Sequence, residues 1–188
     1  MTLQADHDVL QEPFAVLRDE VVMLHCLRLQ DAAAHLAGED EDQVRWLNEG
    51  HHSTLERVTA WIGENHGEWT NDGPRRHFGI FDEATRALVG GVEANLGLLD
   101  GAPERVNLSY AIFPAWRGRG LAARAVLLVC DWLATSTPAR TAVVRIEPGN
   151  DHSHRVAMAG GFTKTGVVLA DDVEFVCYEK PLKDRTPG

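Results

Sequence analysis

Apolar positions along this chain switch between two periods, and the switches mark its elements. Val106, Leu108, Tyr110 and Ile112 alternate with Asn107, Ser109 and Ala111, which predicts a half-buried strand over 105–113. Pro114 ends it, because proline lacks the N–H a ladder needs. From Arg119 to about Thr135 the spacing becomes helical: Leu121, Ala125, Leu128 and Trp132 form one stripe, with Ala122, Val126, Val129 and Leu133 beside it. A second β run, Thr141 to Ile146, follows. After a Pro148-Gly149 break comes a short helix to Ala159, which Asn150 or Asp151 can cap and Gly160-Gly161 stops. The strand-helix-strand unit from Arg105 to Ile146 should be a right-handed crossover between parallel strands.

Upstream, Val21 to Leu29 is apolar and β-branched enough for a first strand, and Asp31 to Leu47 suggests one or two short helices. These helices flank the acidic run Glu39 to Asp42, which reads as a solvated face. His51 to His66 is a stronger helix, with Ser53 and Glu56 at capping-box spacing and Leu55, Val58 and Ile62 on one stripe; Gly67 to Pro74 reads as a loop. His77 to Phe81 and Ala87 to Leu96 form a predicted hairpin. Phe162 to Leu169 and Val173 to Tyr178 form another around Ala170-Asp171-Asp172. This order predicts an α/β (α+β) domain over residues 20–182, with a mixed central sheet of about six to seven strands flanked by about four helices. Residues 1–19 read as an N-terminal arm and 183–188 as a flexible tail.

Charge narrows the partners. With 18 basic and 28 acidic side chains the 188-residue chain carries a net charge of -10, which disfavours a ligand that must be held by its phosphate backbone, such as a nucleic acid, and is explained equally by attraction of a cationic substrate or by solubility alone. Cys26, Cys130 and Cys177 sit far apart in apolar runs, without metal or disulfide spacing, as buried residues of a reducing cytoplasm would. The longest apolar stretch, Ala122 to Leu133, is broken by Arg124 and Asp131, so neither a signal peptide nor a membrane span is expected.

Between the 105–113 strand and the helix after it lies Arg117-Gly118-Arg119-Gly120. Glycines there let a ligand approach the backbone N–H groups, and the helix start adds about half a positive charge, which together favour a phosphate-bearing ligand. Arg119 or Arg124 could pair with further phosphate oxygens.

Arg117 to Ala122 fits the R/Q-x-x-G-x-G/A motif of the GNAT superfamily of acyl-CoA-dependent N-acyltransferases, and the strand and helix around it match that context. About thirty residues on, Asn150 to Phe162 resembles the second signature, N-x-x-S-x-x-V-A-x-x-x-G-F, in the form closest to the RimJ/RimL-like branch. The resemblance implies a GNAT fold and acetyl-CoA as co-substrate. Its pyrophosphate would lie on Arg117, Gly118, Arg119, Gly120, Leu121 and Ala122, and its pantetheine arm along the backbone of Ala111, Ile112 and Phe113, with Asn150 on the other side.

It also implies an amine acceptor attacking the thioester directly in a ternary complex. Many relatives supply a proton to the leaving thiolate from a tyrosine; here that position is Ala157, and Ser153 is the nearest hydroxyl. For the general base Glu93 is favoured over Glu104 and Glu147, and Asn107 stands where RimL-like sequences often carry a glutamate in the motif strand. An α-amino group, titrating near ~8, asks less of a base than a lysine near ~10.4. The missing tyrosine motivates a rival reading, a non-catalytic acyl-CoA-binding sensor or scaffold.

Other features point to less. The Arg/Gly run resembles a fragment of an RNA-binding tract but lacks repeats and a basic surround. Asp151, His152 and His154 face different sides of a helix start and do not predict a metal site. His51 and His52 read as a solvated helix start, and Trp61, Trp69 and Trp116 could wall an acceptor pocket. An exposed strand edge could support a homodimer. The acceptor itself would be chosen by residues 30–75, which carry no signature.

Overall fold

One sheet holds the molecule together in the computed structural model, which describes residues 14–97, 99, 101–170 and 172–182. Its strands are β1 (Leu17–Arg18), β2 (Val22–His25), β3 (Arg75–Asp82), β4 (Leu88–Asn95), β5 (Arg105–Ile112), β6 (Thr141–Ile146), β7 (Thr163–Ala170) and β8 (Val173–Pro181). They lie in the order β1-β2-β3-β4-β5-β6-β8-β7. All neighbours are antiparallel except β5 and β6, the parallel pair expected of the crossover. The helices are α1 (Ala32–Gly38), α2 (Glu41–Leu47), α3 (Leu55–Thr70), α4 (Leu121–Ser136) and α5 (Asp151–Ala159).

Eight strands and five α-helices exceed the expected six to seven and four. Part of the excess is β1, formed by two residues assigned to the arm, because Leu17 and Arg18 find partners in Leu24 and Met23. Residues 1–13 of the arm and the tail 183–188 lie outside the described residues, as does Asp171 of the final turn. The first strand stops at His25, short of Leu29, and a single 3-10 turn over Leu29–Asp31 follows, with the Asp31 carboxylate accepting the Arg28 N–H.

Strand alternation sends Val22 and Leu24 to one face of the sheet and Met23 to the other. On the first face α4 buries Leu121, Ala125, Val126, Val129 and Leu133 against Phe78, Ile80, Val106 and Leu108. On the second, Val58 and Ile62 of α3 pack with Met23, Leu27, Ala32 and Phe81. Helix α3 runs on to Thr70, through residues expected to be loop, because Trp69 is anchored in the core and donates its indole N–H to the His77 carbonyl at 3.2 Å. Its cap is Thr54 rather than Ser53. Ser53 is occupied elsewhere: its N–H and hydroxyl both donate to Glu39, at 2.9 and 2.6 Å.

The feature that matters for function is a divergence. Only Arg105–Asn107 of β5 pair with β6, at Thr141–Val143. Beyond Asn107, β5 stays with β4 as far as Ile112, while β6 stays with β8 as far as Ile146. The second half of β5 therefore presents one edge that no strand among the described residues covers.

Candidate functional site

Two cavities meet at that uncovered edge. The larger, about 650 Å³, is lined by Tyr110, Ala111 and Ile112 of β5, by the 116–123 turn and start of α4, and by Gly149 to Ser153 opposite. Gly118 and Gly120 hold φ of +77° and +76°, a left-handed conformation that glycine adopts without strain, and open space stands where a Cβ would project. Gly120 is also the N-cap of α4, so a bare, positively polarised helix end faces the cavity.

The arginines of the turn are not free hands for a phosphate. Arg117 donates through Nε to the Ile112 carbonyl at 2.9 Å and through its two Nη to Asp42 and Asp40, at 3.1 and 2.9 Å. The acidic run read as a solvated face is thus in part a clasp that fastens α2 over the cavity. Burial works against ionisation of Asp40, yet the Arg117 hydrogen bond and charge, with the Gln43 N–H, hold its carboxyl below the ordinary value. Arg119 folds onto the Trp116 ring, 4.7 Å from its centroid, and donates to the Ala115 carbonyl, while Arg124 pairs with Asp19 at 2.8 Å.

Phe113 also differs from expectation. Its N–H donates to the Val89 carbonyl, its own carbonyl accepts from Trp116, and it does not line the cavity. Ile112 lines it, but its carbonyl is already taken by Arg117. Asn150 caps α5, its side-chain oxygen accepting the Ser153 N–H at 3.1 Å. Ser153 lines the cavity half-buried, and Ala157, where a tyrosine was looked for, is buried. His152 contacts Arg155 at 2.8 Å, and His154 contacts the Tyr178 hydroxyl at 3.1 Å, so the two rings are turned to different partners.

The second cavity, about 450 Å³, is lined by His35, Glu39, Ser53, Arg57, Trp61, His77 and Glu93, among others. Glu93 is the only one of the three base candidates that lines either cavity. Burial, reinforced by Glu68 and opposed by Arg75, pushes its carboxyl above the ordinary value. Trp61 packs between two imidazoles, its ring 5.0 Å from His35 and edge-on to His77 at 4.5 Å. Of the three tryptophans considered, Trp61 walls this cavity, Trp116 walls the larger one, and Trp69 belongs to the core. His51 is at the rim, exposed, and His52 reaches towards Glu39 and Glu41. His35, Glu39 and His77 were not singled out by the sequence. Helical or strand alternation explains His35 and His77 as ordinary positions and the acidic run explains Glu39, so only their convergence is informative.

Burial drives the His77 ring down to about 3, helped by the neighbouring His35, and drives His35 down as well. A ring that folds neutral but unfolds into water contributes stability above its unfolded value of about 6.5, and that stability is lost as pH falls through the window towards 3. Between pH 6.5 and 5 His77 alone should remove about 2 kcal/mol. Urea unfolding at pH 7 and pH 5 should therefore show a smaller acid loss for His77→Leu than for the unaltered protein.

The model of the acetyltransferase (GNAT) domain family matches residues 22–163. A probable N-acetyltransferase of Bacillus subtilis, YjcK, is 26% identical over 157 residues, covering 81% of this chain and 86% of the relative. Among solved structures, a ribosomal-protein-alanine acetyltransferase from Vibrio fischeri superposes with a TM-score of 0.75 at 18% identity, covering 92% of this chain and all of that one. RimL, a ribosomal α-N-protein acetyltransferase in complex with coenzyme A, does so with a TM-score of 0.75 at 13% identity, covering 90% and 99%.

Proposed function

The chain belongs to the GNAT acetyltransferase family, and from that premise we propose that it moves an acetyl group from acetyl-CoA to a primary amine, a protein N-terminus or a small-molecule amine, by direct attack in a ternary complex. The observation that carries this reading is the junction of the two cavities at Tyr110 and Ala111, beside the uncovered edge of β5. A donor in one and an acceptor in the other would bring their reacting atoms together there. RimL, bound to coenzyme A, supports the choice of donor.

In this reading Gly118, Gly120, Leu121 and Ala122 offer backbone N–H groups to the pyrophosphate, and the Tyr110 backbone with the Ile112 N–H, which alternate away from β4 towards the uncovered edge, pairs with amides of the pantetheine arm, in the manner of strand addition. Arg117 acts indirectly by holding Ile112 and α2 in place. The bound donor supplies an activated thioester. Glu93, directly or through a water, takes a proton from the amine as the C–N bond forms and the C–S bond breaks. The Ser153 hydroxyl donates a hydrogen bond to the departing thiolate and relays a proton to it, taking one from solvent as it gives its own, because a thiol's ordinary value of about 8.5 makes the thiolate a modest leaving group. Glu93 is a mild base, which suits an α-amino group better than a lysine.

Cys26, Cys130 and Cys177 are buried, and burial pushes Cys26 and Cys130 up to about 12, which argues against a covalent acetyl-cysteine. Free thiols fit a cytoplasmic location, and among the described residues no helix is long and apolar enough to cross a membrane. The outer strand β7, with Val167 and Leu169 exposed, supports homodimerisation by edge pairing.

A panel of amine acceptors with acetyl-CoA, monitored by thiol release, tests the activity. Turnover is expected, with Ser153→Ala lowering kcat about 10-fold and leaving the acetyl-CoA Kd unchanged. Tight acetyl-CoA binding without thiol release from any amine would favour the sensor or scaffold reading that Ala157 motivates.

A further inference from the structure

The two cavities share four lining residues, Gln43, Leu47, Tyr110 and Ala111. Leu47 and Ala111 have no polar side-chain atom, and the Tyr110 hydroxyl is committed to the Ser153 carbonyl at 3.0 Å. Gln43 is different. It is 9% exposed, and its Oε1 is buried without a hydrogen-bond partner. Leaving a buried carbonyl unpaired is costly, and a turn about the soft terminal torsion of the side chain that brings Oε1 to the cavity lets a ligand's donor recover that cost on binding.

Resting on the acetyl-transfer reading above, we propose that Gln43 aligns the attacking amine, its Oε1 accepting an N–H from the acceptor nitrogen where the cavities meet. A neutral primary amine has one lone pair and two N–H groups. The lone pair must point at the acyl carbon. One N–H then goes to Glu93, the base on the acceptor side, and the other needs a second acceptor oxygen, which Gln43 supplies. As the C–N bond forms the nitrogen gains positive charge, so a carbonyl oxygen on its N–H is worth more in the transition state than in the ground state. The backbone of Gln43 is held in place for such a role. Its N–H donates to Asp40 at 3.1 Å, and Asp40 is clamped by Arg117 of the donor-side turn. Donor turn and acceptor-aligning group are thereby one mechanical unit.

This assignment gives the site a chemical preference, for primary amines over their N-methyl analogues, which have one N–H too few. The test is steady-state kinetics on Gln43→Leu and Gln43→Glu with a turned-over primary amine and its N-methyl analogue, alongside calorimetric acetyl-CoA binding. Gln43→Leu should lower kcat/KM for the primary amine about 10- to 100-fold, leave the acetyl-CoA Kd within about 2-fold, and narrow the preference over the N-methyl analogue. Gln43→Glu keeps an acceptor oxygen; it should recover most of the rate and, by raising the amine's pKa, move the ascending limb of the pH profile upward. The inference is overturned if Gln43→Leu keeps the rate or the preference, if it loses acetyl-CoA binding in proportion, or if Gln43→Glu is as inactive as Gln43→Leu. An unaltered protein that turns over no amine would take the transfer reading down with it. An active one indifferent to Gln43 sinks this inference alone.

Discussion

Glu93→Gln should lower kcat/KM for the acceptor about 10²- to 10³-fold while leaving acetyl-CoA affinity unchanged, because it removes a proton acceptor and almost no volume. Three features of the site set that expectation. Glu93 sits in a central strand, between His77 of β3 and Ser109 of β5, so its backbone is held by ladders on both sides. It lines the smaller cavity, half-buried, and burial raises its carboxyl, making it a stronger base than an exposed glutamate once ionised. Its partners cannot replace it: His77 is driven too low to hold a proton near neutrality. In the unaltered protein kcat/KM should rise with pH above the ordinary glutamate range as both Glu93 and the amine lose protons, and Glu93→Gln should leave only the amine's limb. A pH-rate profile of the two proteins checks this. Unchanged kcat/KM in the variant would move the base elsewhere.

Gly120→Val should raise the acetyl-CoA Kd about 30- to 100-fold, measured by calorimetry, with the fold retained. At φ +76° a β-branched residue costs on the order of 1–2 kcal/mol of backbone strain, and nothing within 4 Å prevents its Cβ from being built. The side chain would instead stand in the open space by which a phosphate reaches the first N–H groups of α4, so donor binding suffers more than folding. Gly101 provides the control. It has the same φ of +76° with nothing near it, and it lines neither cavity. Gly101→Val should therefore cost similar stability and leave acetyl-CoA binding alone. Equal losses of affinity in both variants would mean that strain, and not access to the helix start, is what matters.

The chain's own pattern determined most of the larger cavity, the proposed donor side. Alternation from Val106 to Ile112, a proline stop, two glycines and an amphipathic run are adjacent in sequence, and each acts through local backbone geometry, so strand, turn and helix α4 follow in order. The same holds for β6 and for α5 with its Asn150 cap. Where a side chain's partners lie across space, the local pattern is silent. The family motif places Arg117 in the pyrophosphate turn, but nothing near it in sequence announces Asp40 and Asp42, which folding brings to its guanidinium from more than seventy positions away.

The smaller cavity, the proposed acceptor side, was decided by tertiary structure alone. His35 comes from α1, Gln43 from α2, Trp61 from α3, His77 from β3 and Glu93 from β4, and no spacing in the sequence links them. They become a site only because the α1–α3 segment packs over a sheet whose β5 and β6 diverge. Their chemistry, neutral histidines, a raised carboxyl and an unpaired amide oxygen, arises from the burial that this packing imposes. Periodicity along a chain records which face of an element is buried, not which distant side chains share the burial.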